Sequence, residues 1–234
     1  MGRVCVLISH RKAFIFLKTR KTASTSLEVA LEPYCRPEGA APPDRRTGEV
    51  VTEAGIVGAR GPGAESCKFY NHMPARAIRS AIGGRMWKDY TKVSIVRNPY
   101  DKAVSWFWMQ LSPGDRRACQ HDFSLCRQTF NAWLRAKPRL PDDKPIITIA
   151  RSDVVDVMLR YEQLEADFAA LLGRLGIGDP ITLPRLKAET RVRPEPFAQY
   201  YDAAGEAIVA AAYRYEMARF GYARLDVRAD AGPS

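Results

Sequence analysis

The sequence predicts an α/β fold, a parallel sheet with helices on both faces in three layers. Short apolar runs are each followed by a turn and then by a segment of helical periodicity. The runs are apolar almost throughout, as in strands buried on both faces. The order strand, loop, helix also recurs along the chain, which implies parallel pairing through helical crossovers.

Ala13 to Leu17 (Ala-Phe-Ile-Phe-Leu) is the first such strand. A polar, basic turn from Lys18 to Thr25 leads into a helix whose Leu27, Ala30 and Leu31 share one face before Pro33 stops it. Residues 36–68 are rich in Gly, Pro and charge, and read as a long excursion or lid. Pro74 suits a first helical position, Ile78 and Ile82 lie four apart, and Gly83-Gly84 end that helix. Lys92 to Val96 is a second buried strand, and a helix begins near Asp101 with Val104, Phe107, Trp108 and Leu111 facing inward. Phe123, Phe130, Trp133 and Leu134 fit another helix, Ile146 to Ile149 a short strand, and Val155 to Tyr161 a further strand by alternation. Leu164, Phe168, Leu171, Leu172 and Leu175 mark a helix closed by Gly176, and a final helix runs from about Asp202 to Arg219. Trp108 and Trp133 fit core faces, whereas Trp87 and Trp106 are expected to be partly exposed.

At 234 residues, one domain spanning 1–234 is the default, with 223–234 as a flexible tail. The net charge of +10 attracts anions of many kinds, but the cations are interspersed, so an anion pocket is favoured over a nucleic-acid tail. Cys5, Cys35, Cys67, Cys119 and Cys126 show no CxxC spacing and no histidine cluster, which argues against a metal site or a redox pair. The start is too short for a signal peptide ahead of the first strand, and no run is long enough to span a membrane; a cytoplasmic location and no stable membrane insertion are expected.

Two constellations carry chemistry. A strand turning into a helix aims backbone N–H groups and the helix dipole at one point, an anion site. Arg20, Lys21, Thr22, Ala23, Ser24, Thr25 and Ser26 fit it: small residues let a phosphate approach, hydroxyls add donors, and Lys21 can reach an oxygen bridging two charged groups. The same residues also suit an ordinary capped helix start. The order is not that of a Walker A loop, which disfavours a nucleoside triphosphate kinase. In the second, Arg97 leaves a strand end and Ser105 lies eight residues on inside a helix, a guanidinium fork and a hydroxyl able to converge on one phosphate.

Lys-Thr-Ala-Ser-Thr-Ser after a buried strand resembles the 5'-phosphosulfate loop of sulfotransferases that use 3'-phosphoadenosine 5'-phosphosulfate (PAPS). That loop usually reads Pro-Lys-Thr/Ser-Gly-Thr-Thr/Ser, so Arg20 stands in place of proline and Ala23 in place of glycine. If the glycine requires a positive φ, Ala23 is strained. Arg97-Asn98-Pro99-Tyr100-Asp101 with Val104-Ser105 is similar to the family's 3'-phosphate motif, and the likeness extends to Arg160 to Leu164 and to the close at Phe220-Gly221-Tyr222.

The resemblance implies the P-loop-like sulfotransferase fold, PAPS as sulfuryl donor laid across the strand ends between Lys21 and Arg97, no metal, and a hydroxylated acceptor such as a saccharide. It also implies that Tyr161 lies near the adenine, a reading balanced by a buried strand aromatic. One cation of the late basic segment, Arg191 first, is expected on the 3'-phosphate. His72, between the two motifs, resembles the histidine of the glycan-type branch and is the expected general base, since histidine accepts a proton near neutral pH without a large pKa shift. A helix cap or a packed histidine remains open for it, with Glu28 as the competing base. A noncatalytic binder of anionic nucleotides or polyanions and a P-loop kinase stand as the other functional readings.

Overall fold

The structure, a computed structural model, describes residues 6–42, 48–59, 64–178, 181–184, 186 and 191–227. Parts of the expected lid (43–47, 60–63) and tail (228–234), together with Cys5, Arg185 and Lys187, lie outside these residues. In chain order the elements are β1 (Leu7–Ser9), β2 (Phe14–Phe16), α1 (Ser24–Leu31), β3 (Val50–Thr52), β4 (Gly55–Val57), α2 (Ala75–Ile82), α3 (Gly84–Asp89), β5 (Thr91–Val96), α4 (Pro99–Gln110), α5 (Pro113–His121), α6 (Phe123–Arg135), α7 (Lys144–Ile147), β6 (Thr148–Ile149), β7 (Ser152–Asp153), β8 (Val157–Arg160), α8 (Leu164–Arg174), α9 (Ala203–Ala212) and α10 (Arg214–Phe220). They fall into two compact units, Met1–Val96 with Asp143–Leu186 and Arg97–Asp142 with Lys187–Ser234.

The first unit holds a six-stranded sheet in the order β3-β4-β1-β2-β5-β8. Strands β2, β5 and β8 are parallel, as their apolar runs predict. The sheet is mixed rather than parallel throughout, because β1 pairs antiparallel with both β2 and β4, and β3 with β4. Two features hid this from the sequence. β1 is three residues long and joined to β2 by a tight turn with Ala13 in the left-handed region (φ 48°), and the β3–β4 hairpin forms inside the segment expected as a lid. The core joins Leu7, Phe14, Phe16, Val93 and Ile95 of the sheet to Leu27 and Leu31 of α1 and to Phe168, Leu171 and Leu172 of α8.

Hairpin docking depends on Gly55. Its φ of 154° is outside what side chains readily adopt, and a Cβ there would stand 2.2 Å from the Ile8 carbonyl oxygen and 2.9 Å from that of Cys35.

The second unit is helical. Tyr100, Val104, Phe107 and Trp108 of α4 pack with Phe130 and Leu134 of α6, Val209 of α9, and Tyr200 and Tyr201. The rings meet edge to face, as their quadrupoles prefer; Phe130 and Tyr201 lie 5.0 Å apart at 88°.

Several elements differ from the sequence reading. Ile146 and Ile147 belong to α7, favoured by Pro145 in its first turn, and only Thr148–Ile149 is strand. Pro74 caps α2 rather than opening it, and the final helix breaks at Tyr213 into α9 and α10 before Gly221 ends it. Trp87 is buried against the expectation of partial exposure, with the Lys92 ammonium over its ring. The start of the expected tail is held, since Arg224 pairs with the buried Glu206, to which the Tyr100 hydroxyl also donates. Leu225 and Val227 pack on the same core.

Substituting Gly55→Ala should force the β1–β4 backbones apart and cost about 2–4 kcal/mol, within the range of severe core substitutions. Urea unfolding should show the midpoint fall.

Candidate functional site

In the first unit, β2 is followed by Leu17, whose carbonyl accepts from the Ser94 hydroxyl of β5 at 2.7 Å, and the chain then turns into α1. Lys21 (φ 59°) and Ala23 (φ 58°) are both left-handed. The strain anticipated for Ala23 in place of glycine is therefore present, about 1–2 kcal/mol for each such residue. It is offset by bonds beneath the turn. The Thr19 hydroxyl donates to the Ile95 carbonyl at 2.6 Å, so the Thr22 hydroxyl is the donor in its 2.9 Å bond to Thr19. The Ser24 hydroxyl donates to the Thr19 carbonyl at 2.8 Å. These three bonds contribute about 1 kcal/mol each. The hydroxyls of Thr22 and Ser24, expected as anion donors, are thus spent on the turn. Thr25 is half-buried in the first helical turn, and Ser26 accepts from the Leu186 N–H at 3.3 Å.

A buried ion pair lies under the same turn, the Lys18 ammonium 2.6 Å from the Glu28 carboxylate, with side chains 2% and 0% exposed. A carboxylate so enclosed and paired cannot meet an acceptor hydroxyl, which removes Glu28 from the competition for the base. His72 has a left-handed backbone (φ 55°) and its Nδ1 lies 3.0 Å from the Lys18 carbonyl oxygen. It does not cap α2, whose N-cap is Pro74. A carbonyl can only accept, so Nδ1 carries the proton and Nε2 keeps its lone pair, the tautomer a general base needs. Burial, followed by the positive charges of Arg20 and Lys18, lowers the His72 pKa to about 4, although the bond to Lys18 and the charge of Asp143 act the other way. The ordinary histidine pKa assumed from the sequence is thus corrected, and His72 is neutral through the physiological range. Arg20, Lys21 to Ser26 and His72 are gathered around one turn, and Arg20 is bound there by Asp143.

In the second unit, Arg97 and Arg191 converge on one carboxylate. Asp101, 8% exposed in the first turn of α4, takes Arg97 Nη2 at 2.7 Å and Nε at 2.8 Å, and Arg191 Nη1 at 3.0 Å. The Arg191 guanidinium also lies 5.2 Å over the Tyr200 ring and donates to the Glu195 carbonyl. Its Nε is buried with no hydrogen-bond partner among the described residues. Ser105 lies one helical turn beyond Asp101, also buried, so it shares a face of α4 with that carboxylate. Asn98 opens the helix, its side chain accepting from the Tyr100 N–H at 2.9 Å.

Tyr161 begins the 3-10 turn Tyr161–Gln163 after β8 and packs, half-buried, against the core of the first unit.

Sequence reasoning did not assign Lys18, Asp101 or Asp143. Asp101 was visible as Arg97's partner at four-residue spacing on a helix start. Asp143 left no local signal, being 123 residues from Arg20.

Among the described residues no group of three or more His, Cys, Asp or Glu side chains could hold a metal ion, and no helix is long and apolar enough to cross a membrane. The first unit thus has a strand-to-helix turn with a lysine and a neutral imidazole, and the second has two guanidinium groups on one carboxylate, within an α/β protein. The chain matches the family model described as the sulfotransferase family over residues 5–223, and it belongs to that family. Sulfuryl transfer is the general chemistry of the family. Comparison with curated proteins and with solved structures returned no match.

His72 should titrate near pH 4 in the folded protein when followed by its ring-proton NMR signals. Between the unfolded value of 6.5 and about 4 the unfolded chain binds a proton that the native state does not, so this group's contribution to stability falls as pH falls through that window. His72→Gln should remove that part of the acid-side slope.

Proposed function

We propose that the protein transfers the sulfuryl group of PAPS to an acceptor hydroxyl, of a saccharide or another small hydroxylated metabolite, by in-line displacement, with His72 as general base. The observation that supports this reading is the Nδ1 bond of His72 to the Lys18 carbonyl, which leaves Nε2 with the lone pair that a base needs, two residues before the loop assigned to the phosphosulfate. Family membership sets the kinase reading aside. The three-layer arrangement and the single working domain belong to the same proposal.

The donor, when bound, supplies a sulfuryl group on a phosphate leaving group. His72 Nε2 accepts the proton of the attacking hydroxyl. Lys21 and the N–H groups opening α1 present positive charge where negative charge grows on the leaving oxygen, the arrangement that lowers a barrier most. Arg20 and Lys18 disfavour the imidazolium, and Asp143 favours it. Negative charge brought into the loop would raise the His72 pKa toward the range useful for catalysis.

The buried Nε of Arg191 supports the fit of the second cluster to a phosphate. A desolvated guanidinium N–H without an acceptor costs free energy that an anionic oxygen recovers. Asp101 holds Arg97 and Arg191 in place, and Ser105 offers its hydroxyl on the same helix face. These groups are assigned to the 3'-phosphate.

Transfer of label from radiolabelled PAPS across a panel of hydroxylated acceptors tests the activity. Turnover should fall by roughly 10²–10⁴-fold in His72→Ala, the range for losing a general base, while PAPS affinity measured by calorimetry stays near the parent value. Turnover unchanged in this variant would remove His72 from the mechanism. Arg97→Ala should weaken PAPS by about 2–4 kcal/mol, the cost of leaving a buried charge without its partner, and should narrow its preference over adenosine 5'-phosphosulfate. Equal parent affinity for the two nucleotides would overturn the assignment of the cluster to the 3'-phosphate.

A further inference from the structure

Asp143 occupies the N-cap position of α7, where an aspartate ordinarily accepts a backbone N–H of its own helix. It makes no such side-chain bond. Its carboxylate, 2% exposed at the residue level, turns instead to the loop after β2. The backbone N–H of Arg20 donates to Oδ1 at 3.1 Å and to Oδ2 at 3.0 Å, and Arg20 Nη1 lies 3.2 Å from Oδ1. The chain is thereby fixed one residue before Lys21, the first of the two left-handed residues. A left-handed non-glycine residue persists only where its surroundings over-determine it. Thr19, Thr22 and Ser24 supply that restraint from below, and Asp143 supplies it at the entry. Proline, the usual residue in the loop motif that this one resembles, has no N–H, so the bond exists only because position 20 is not proline.

We propose that Asp143 is a positioning residue for the transfer reaction, which locks the loop through the Arg20 N–H and so sets the backbone from which the Lys21 ammonium is presented. The effect on catalysis rests on the sulfuryl-transfer reading, whereas the effect on the loop does not. The bond between the carboxylate and the backbone is the essential contact, and the guanidinium of Arg20 is secondary.

Four variants test this, Asp143→Ala, Asp143→Asn, Arg20→Gln and Arg20→Pro, together with the double variant Arg20→Pro/Asp143→Ala. Each is first checked for folding by thermal unfolding. Asp143→Ala should speed amide hydrogen exchange across residues 20–24 by about tenfold or more, a local opening that leaves the β5 amides protected. It should lower kcat/KM for PAPS by about 10- to 100-fold, the loss expected for a hydrogen bond to a charged group. Arg20→Gln keeps the N–H and should leave amide exchange across residues 20–24 within about threefold of the parent, whatever it does to turnover. In the Arg20→Pro background the bond is already gone, so Asp143→Ala should change neither readout by more than about twofold, the mark of coupled positions. Asp143→Asn keeps a neutral acceptor and should fall between parent and Asp143→Ala; if Asp143→Ala does not fold, this variant carries the exchange test alone. Unchanged loop exchange in the Asp143 variants, or a full effect of Asp143→Ala in the Arg20→Pro background, would overturn the proposal. A parent protein that transfers nothing from PAPS would sink the sulfuryl-transfer reading while the exchange results still decide the role of Asp143.

Discussion

The turn between β2 and α1 is the constraint on which the rest of the first unit depends. It must reverse the chain tightly enough to aim a helix start and a lysine at one point, and it does so with Lys21 and Ala23 in a backbone region that glycine would occupy at less cost. Such a turn cannot hold itself. The ion pair of Lys18 with Glu28, the hydroxyl chain from Thr22 through Thr19 to Ile95, the Ser24 bond and the Asp143 carboxylate each tie it to a different element: α1, β5, the loop itself and α7. The hydroxyls that a sequence reading assigns to ligand contact are largely consumed by this work.

Buried carboxylates organise the cations of a strongly basic protein. Glu28 holds Lys18, Asp143 holds Arg20, and Asp101 holds Arg97 and Arg191 together. An ion pair taken out of water gives little net stability, because desolvation offsets the attraction. Its benefit is geometric, since a fixed guanidinium or ammonium meets an incoming anion without first losing side-chain freedom. The Nε of Arg191 shows what such order leaves available, a buried donor whose partner is absent among the described residues. Of these cations, Arg20 and Lys18 also act on His72, and together with burial they keep it neutral.

The sequence by itself determined the parallel part of the sheet, the loop after the first buried strand, the Arg97 motif and the family, because these are written in local patterns: apolar runs, turn residues and a helix start within about ten residues of one another. It also marked Ala23 as strained, since a missing glycine is visible without coordinates. Only the tertiary structure decided that β1 and the β3–β4 hairpin make the sheet mixed, because three-residue strands carry too little periodicity to be read, and that Trp87 is covered. It alone lowered the His72 pKa and enclosed Glu28, because desolvation is a property of the surroundings and not of the residue. The meeting of Arg20 with Asp143 across 123 residues, and of Asp101 with Arg191 across 90, was likewise undetermined by any local signal: long-range pairs are set by how the elements pack, which no short window of sequence contains.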